Sequence, residues 1–436
     1  MSQAVILAGG KGTRLAAELQ GKPKCLVDVD GTPLLQRQII HLKACGVDDI
    51  VVLVNFAADQ VVRFLSDNDN FGLRAAVVDD GDPRGTAGAV LASLDNLAER
   101  FIVVYGDTLF NVDVRRLEAH HIEAGAQATL FLHPNDHPFD SDLVEVDEQR
   151  RIVAFHPSPH PPDRNYSNLV SAALYVVERR ALEAWRRFKT PSDFGKDLFP
   201  AMLAAGSFLE GYASFEYIKD IGTPKRLAKG IADLRRGVVA RGSLNHKQKA
   251  VFVDRDGTLN PHRGFLRRAD QFDLFPGIAE SVRRLNELEY RVIVVTNQPV
   301  IARGESSFRD VRDIHDKLET LLGGVGAYVD AIYMCPHHPD RGFPGEVAEL
   351  KIACDCRKPG TGMIERATAD FNIDLAQSWL IGDTTSDIEV ARRAGLRSIL
   401  VRTGEGGLDK KYSAEADHMA EDFNHAVAWI AGKSSP

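Results

Sequence analysis

Asp254 and Asp256 stand two residues apart, directly after the apolar, β-branched run Ala-Val-Phe-Val. Two like charges at a strand end are costly unless a cation neutralises them or a reaction uses them. Asp383 and Asp387 follow a second apolar run, Trp-Leu-Ile-Gly. Thr296 and Asn297 end a third, and Lys358 lies in a Cys-Arg-Lys-Pro segment. In a parallel sheet such strand ends converge on one crevice. There one carboxylate can attack phosphorus, and a second can protonate the leaving oxygen. A Mg²⁺ ion, Lys358 and a hydroxyl would share the developing negative charge. Any one of these motifs alone is more often a cap or turn. Their order, each after an apolar strand, points to phosphoryl chemistry.

Between the second and third of these groups come Cys335-Pro-His337-His338 and then Cys354-Asp-Cys356. A CxH pair and a CxC pair supply four ligands for tetrahedral Zn²⁺, since alternate residues of an extended turn face one side. The alternative is two unrelated buried cysteine clusters. His337 fits the CxH spacing; His338 is the second choice, otherwise expected at the surface or facing substrate. With no open position implied, the zinc is expected to be structural, ordering the loop that delivers Arg357 and Lys358 to a phosphate.

A third group lies near the start: Leu7, Ala8, Gly9, Gly10, Lys11, Gly12, Thr13 and Arg14, directly after an apolar run. Glycines let backbone N–H groups approach and cradle phosphates, and Arg14 adds a fixed fork of donors. Lys24 follows after Pro23, where its point charge could reach the same anion. A glycine-rich turn alone is equally a tight strand-to-helix loop.

The elements that must position these groups follow from periodicity. Residues 4–8, 49–55, 73–78 and 101–106 read as buried strands, with a helix over 33–46 among the intervening segments. Alternation of this kind implies βαβ units and a mostly parallel sheet. Longer β segments and Pro-rich loops fill 125–220. The pattern restarts with strands at 250–254, 290–297, 378–383 and 396–402. The polar, basic stretch near 235–248 has no clear period and is read as the connection. The expected architecture is α/β in two tandem domains, 1–236 and 249–436, with a linker over 237–248.

At 436 residues the chain exceeds one ordinary core. A formal net charge of −8 argues against a nucleic-acid or membrane-surface role. No apolar run reaches a membrane span, and the first residues lack a signal-peptide pattern. Five cysteines, an odd number, argue against a disulfide framework and for a reducing, cytoplasmic setting.

FVDRDGTLN, VVTNQPVIARG, CPHHPD, CDCRKPGTGM and IGDTTSDIEVARRAG together resemble the haloacid dehalogenase superfamily, most of all its heptose bisphosphate phosphatases and the related histidinol phosphatases. The resemblance implies a Rossmannoid domain with a zinc loop, Asp254 as nucleophile and Asp256 as general acid/base. It also implies Thr296 and Lys358 on the phosphoryl group, and Mg²⁺ on Asp254, Asp383 and the Asp256 main-chain carbonyl. This chain departs from the family with Pro299 in place of Ser and Thr384 in place of Lys.

Residues 1–236, with GGKGTRL, GKPKCL, Gly85-Thr86-Ala87-Gly88, Gly106-Asp107 and KDIGTP, resemble the sugar-1-phosphate nucleotidyltransferases. That resemblance implies a Rossmann-like mixed sheet, a base and sugar site near Gly85, Thr86 and Ala87, and Mg²⁺ held by Asp107 and Asp220. No protein nucleophile is implied; a sugar phosphate attacks the nucleotide directly. Residues 154–157 and 171–173 depart from the family's sugar-side segments. Together the resemblances imply sugar phosphates and an NTP as partners, with GTP the expected donor. Hydrolysis of histidinol phosphate, another sugar 1-phosphate, or a first domain that only binds a nucleotide-sugar as a regulator remain alternatives. His120-His121 is expected on a solvated helix face, the aromatics of 215–220 in the core, and Cys25 as a small hydrophobe.

Overall fold

Every apolar run that precedes one of these motifs is a strand. The computed structural model describes residues 2–10, 12–19, 21–161 and 163–434; Lys11 of the glycine-rich turn lies outside the described residues. The chain forms two compact units. The first holds residues 1–133, 144–157 and 171–246, and the second holds 134–143, 158–170 and 247–436. Among the described residues, no helix is long and apolar enough to cross a membrane.

In the first unit β1 (Ser2–Leu7), β2 (Val47–Val54), β3 (Arg74–Asp79) and β4 (Arg100–Tyr105) run parallel, in the order β3-β2-β1-β4. β5 (Val170–Glu178) joins β4 antiparallel, which makes the nine-stranded sheet mixed. Ala4, Val5 and Ile6 are wholly buried, because a strand covered on both faces must be apolar throughout. The chain leaves β1 for β2 and β3 and returns to β4 on the other side. The end of β1 is therefore a switch point, where a crevice opens at the strand C-termini.

The second unit repeats this logic. β6 (Ala250–Val253), β7 (Arg291–Asn297), β8 (Ala331–Cys335), β9 (Trp379–Gly382), β10 (Arg397–Val401) and β11 (His418–Ala420) form one parallel sheet, ordered β8-β7-β6-β9-β10-β11. Here the switch point falls at β6 and β9, whose ends carry Asp254 and Asp383.

Two expectations about local structure change. His121, on the helix Val114–Ala124, is 1% exposed rather than solvated. Its ring lies within hydrogen-bond distance of Thr129 Oγ1 (2.8 Å) and Glu178 (3.3 Å), while His120 meets Glu210 at 3.0 Å. Polar partners inside the sheet make a buried histidine tolerable, and no period reveals them. The stretch read as a connection contains the short helix Val238–Arg241, and the first unit continues to His246. The aromatics of 215–220 are buried as expected, although only Ile218–Asp220 is a strand.

Candidate functional site

Asp254 follows β6, and its N–H donates to Ile381 O on β9 (2.9 Å), which fixes the turn. Its Oδ1 accepts from Lys358 Nζ at 2.7 Å, and the same Nζ donates to Asp387 Oδ1 at 2.6 Å. Asp383 completes the group: Asp254, Asp383 and Asp387 each offer an oxygen within 4.8 Å of the others. All three are at most 7% exposed. Gly257 sits at φ 86°, and a side chain there would collide with the Asp383 carboxylate, so only glycine lets the turn close.

One lysine cannot neutralise three buried carboxylates. Burial first, then the charges of Asp387 and Asp256, push Asp254 up to about 7 despite Lys358. Burial, Asp254 and Asp387 push Asp383 up to about 8. Burial would lower Lys358, but Asp254 and Asp387 hold it above its ordinary value. Asp383 Oδ1 is buried with no hydrogen-bond partner. An orphaned carboxylate oxygen among three acidic side chains and one lysine suits a hard divalent cation.

Asp256 is surrounded by donors. Arg255 gives two hydrogen bonds (Nη2 at 2.7 Å, Nε at 3.2 Å), Gln298 Nε2 one at 2.8 Å and Asn260 Nδ2 one at 3.0 Å. Burial alone would raise its carboxyl, but Arg255, Gln298 and Asn260 together hold it below the usual range. Arg255 is itself wholly buried, with Nη1 3.0 Å from His315 Nε2; burial and Arg255 push that histidine down to about 3. Thr296, at the end of β7, accepts from Gln298 at 2.8 Å and keeps its own proton to donate. Asn297 donates to Lys358 O (3.2 Å) and accepts from Lys358 N (3.0 Å), which pins the lysine loop. Thr384, where the resemblance implied a lysine, instead caps the helix Thr385–Ala394: its Oγ1 donates to Asp387 Oδ2 at 2.6 Å.

Cys335 at the end of β8, His337, Cys354 and Cys356 also gather, all four ligand atoms within 4.8 Å. Their sulfurs lie 3.2–3.6 Å apart, and His337 Nδ1 lies 3.2 Å from Cys356 Sγ. Zn–S bonds of about 2.3 Å give a tetrahedral edge near 3.7 Å, so this group could hold one ion. Hydrogen bonding with Cys335 first, and with Cys354 and His337, pushes the Cys356 thiol down to about 5 against the effect of burial. Arg357 Nη1 donates to His337 O at 3.2 Å. His338 is buried rather than at the surface, with Nε2 3.5 Å from Arg303.

In the first unit Gly9, Gly10 and Gly12 follow β1, and Gly12 caps the turn Thr13–Leu15, where Thr13 and Arg14 are exposed. Lys24 makes an ion pair with Asp107, in the turn after β4. Asp220 faces Thr108 across a two-stranded ladder, and Ile221 N donates to Asp107 O at 2.9 Å. Lys24, Asp107 and Asp220 therefore meet at one sheet edge, and Arg226 also pairs with Asp220. Gly85, Thr86 and Ala87 open the helix Gly85–Ala92. The Thr86 hydroxyl is already engaged: it donates to Asp193 (2.7 Å) and accepts from Tyr105 (3.1 Å) and Phe194 N (3.1 Å). Cys25 is buried, and burial pushes its thiol up to about 12, as a packed hydrophobe requires.

Gln298, Arg255, Asn260 and His315 escaped assignment to the site, since they carry no signal before their contacts are known. Asp387 was read at the same strand end as Asp383 but was given no role.

Fold and site together define a two-headed enzyme, a nucleotidyltransferase and a phosphatase in one chain. The Nucleotidyl transferase family matches residues 3–237, and a HAD-hydrolase-like family matches 355–426. The chain is 40% identical over 192 residues to the D-glycero-D-manno-heptose-1,7-bisphosphate 7-phosphatase of Thermosynechococcus vestitus, covering 43% of this chain and 97% of that one. It is 38% identical over 180 residues to the D-glycero-beta-D-manno-heptose-1,7-bisphosphate 7-phosphatase of Yersinia pestis, 41% and 91% of the two chains. The chain belongs to the nucleotidyl transferase family and to the family of these heptose bisphosphate phosphatases. Among solved structures, HddC from Yersinia pseudotuberculosis is 22% identical with a TM-score of 0.46, covering 54% of this chain and all of that one. The D,D-heptose 1,7-bisphosphate phosphatase of B. bronchiseptica, complexed with magnesium and phosphate, is 32% identical with a TM-score of 0.38, covering 43% and 99%.

Proposed function

We propose that the phosphatase removes the 7-phosphate of D-glycero-D-manno-heptose 1,7-bisphosphate, and that the transferase then joins the heptose 1-phosphate to GMP from GTP, releasing pyrophosphate. The transfer is assigned to the first unit and the hydrolysis to the second, and the setting is cytoplasmic. The observation that carries the phosphatase reading is the Asp254–Lys358 pair buried beside Asp383 and Asp387.

In the first step an Asp254 carboxylate oxygen attacks phosphorus, the bond from phosphorus to the sugar oxygen breaks, and Asp256, which takes up a proton as the anionic substrate enters, gives it to that oxygen. Water then attacks the aspartyl phosphate, giving its proton to Asp256, and inorganic phosphate leaves. Lys358 and Thr296 donate to the phosphoryl oxygens, and Asn297 keeps Lys358 in place. Asp254, Asp383 and the Asp256 main-chain carbonyl would hold Mg²⁺, which when bound neutralises the phosphoryl charge. Cys335, His337, Cys354 and Cys356 would hold a structural Zn²⁺, setting Arg357 and Lys358.

In the first unit the backbone of Leu7, Gly9, Gly10, Gly12 and Thr13, with Arg14 and Lys24, would cradle the nucleotide phosphates, with Gly85, Thr86 and Ala87 beside base and sugar. Asp107 and Asp220 would hold Mg²⁺ there. The chemistry is positioning and charge neutralisation, as in other phosphoryl transfers.

Asp254→Asn tests the division of labour. It should abolish phosphate release from the bisphosphate while pyrophosphate exchange with GTP and heptose 1-phosphate continues. Loss of both activities would contradict independent sites.

A further inference from the structure

The parallel strands of the second unit carry a second group of charges, at the end opposite Asp254. Lys249 directly precedes β6, Tyr290 precedes β7, and Trp379 and Arg397 open β9 and β10. All four sit at the N-terminal edge of the sheet, whereas Asp254 and Asp383 leave its C-terminal edge. The four residues of β9 separate the two edges by about 13 Å, at about 3.3 Å per residue. Lys433 joins the group from the last helix, Phe423–Ser434. With the turn at 376–377, these side chains line a cavity of about 340 Å³.

Each cation lies on an aromatic ring. Arg397 Cζ is 3.8 Å from the Trp379 centroid, Lys249 Nζ 4.3 Å from that of Tyr290, and Lys433 Nζ 4.8 Å from that of Trp429. Trp429 in turn meets Trp379 edge-on at 5.1 Å and has His418 stacked on it at 4.2 Å, so these rings brace one another. A cation held on a ring face has a fixed place and keeps N–H donors for an anion. No acidic side chain lines the cavity. Among the described residues, none of the three cations has a carboxylate within ion-pair distance, and Arg397 Nε is buried without a hydrogen bond. Two neighbouring carboxylates are already used. Asp417 accepts from Ser398 N (2.7 Å) and Oγ (3.0 Å), and Asp374 accepts from Ala376 N (3.1 Å) and Gln377 Nε2 (2.7 Å). In a chain of formal net charge −8, three cations without a counter-charge stand out, and they repel one another until an anion enters.

We propose that this cavity is an anion site separate from the catalytic crevice, and that its ligand is a diphosphate, either free pyrophosphate or the phosphate chain of a nucleotide. A diphosphate has more anionic oxygens and a longer reach than a single phosphate, which suits cations arriving from three separate elements. Each contact is a charge-assisted hydrogen bond, and the planar Arg397 fork adds direction to it.

The test titrates the full chain with pyrophosphate in EDTA and follows tryptophan fluorescence, since Trp379 lines the cavity. Inorganic phosphate and GTP are parallel probes at matched ionic strength. Pyrophosphate or GTP should give a saturable change that is absent from Trp379→Phe, at least about tenfold tighter than phosphate gives. GTP tighter than pyrophosphate on that signal assigns the site to a nucleotide's phosphate chain; the reverse order assigns it to free pyrophosphate. Arg397→Gln and Lys249→Gln should each weaken the ligand by about 10- to 100-fold at an unchanged melting temperature. Lys433→Gln, on the exposed end of the last helix, carries the test if either of these does not fold. No saturable signal from pyrophosphate or GTP, phosphate bound as tightly as both, or full affinity in the folded variants would overturn the assignment.

Discussion

Burial decides how each acidic side chain of the second unit holds its proton. Asp254 and Asp383 are raised because two or three carboxylates share one dry pocket, whereas Asp256 is held down because a buried arginine is wrapped around it. Glu319, on the helix Phe308–Gly323, offers a cleaner readout away from any metal ligand. Burial, then the charge of Asp316, pushes it up to about 8, and Asn168 N donates to its Oε2 at 3.3 Å. A carboxyl raised in the folded chain is protonated there while ionised in the unfolded chain. Stability from this group is thus complete below its ordinary value of 4.5 and declines as pH rises towards about 8. Glu319→Gln should leave the melting temperature unchanged near pH 4.5 and raise it near pH 8. A gain of equal size at both pH values would show that Glu319 is not the source.

At the scale of elements, the loop through Cys354 and Cys356 links the proposed zinc group to Lys358 beside Asp254. Cys354→Ser should cost the chain about one bound Zn²⁺ and lower phosphatase kcat/KM at least tenfold, since Arg357 and Lys358 follow directly on the ligand Cys356. Metal analysis finding no zinc in the wild-type chain would remove this account of the loop. The strands that carry the motifs were legible because parallel strands buried on both faces read as unbroken apolar runs. β8 was not, since most of its residues are only half-buried and its run is short; β11 has three residues. The four zinc-group residues were legible because their spacing is itself the chelate geometry. His121 was misread as solvated, and His338 is not the surface residue that was one of its two expected places, because burial of a polar ring depends on partners distant in sequence. The Arg255–Asp256–Gln298 cluster was hidden for the same reason, and so was the grouping of residues 134–143 and 158–170 with the second unit. Thr384 looked like a lost cation in sequence; in the fold it is a helix cap that orients Asp387.

On the scale of the whole molecule, each unit contains a full candidate site of its own. Asp254, Asp256, Thr296, Lys358 and Asp383 all belong to the second unit, and Lys24, Asp107 and Asp220 to the first. The product proposed for one site is the substrate proposed for the other, which is what gives a reason to encode both in one chain. The measurement that bears most directly on this is a ³¹P NMR time course of the purified chain with D-glycero-D-manno-heptose 1,7-bisphosphate and GTP. The 7-phosphate signal should disappear first, inorganic phosphate should rise with it, and a sugar-linked diphosphate should then appear with one pyrophosphate per sugar. Loss of the 1-phosphate instead, or free heptose phosphate accumulating without any diphosphate sugar, would contradict the account.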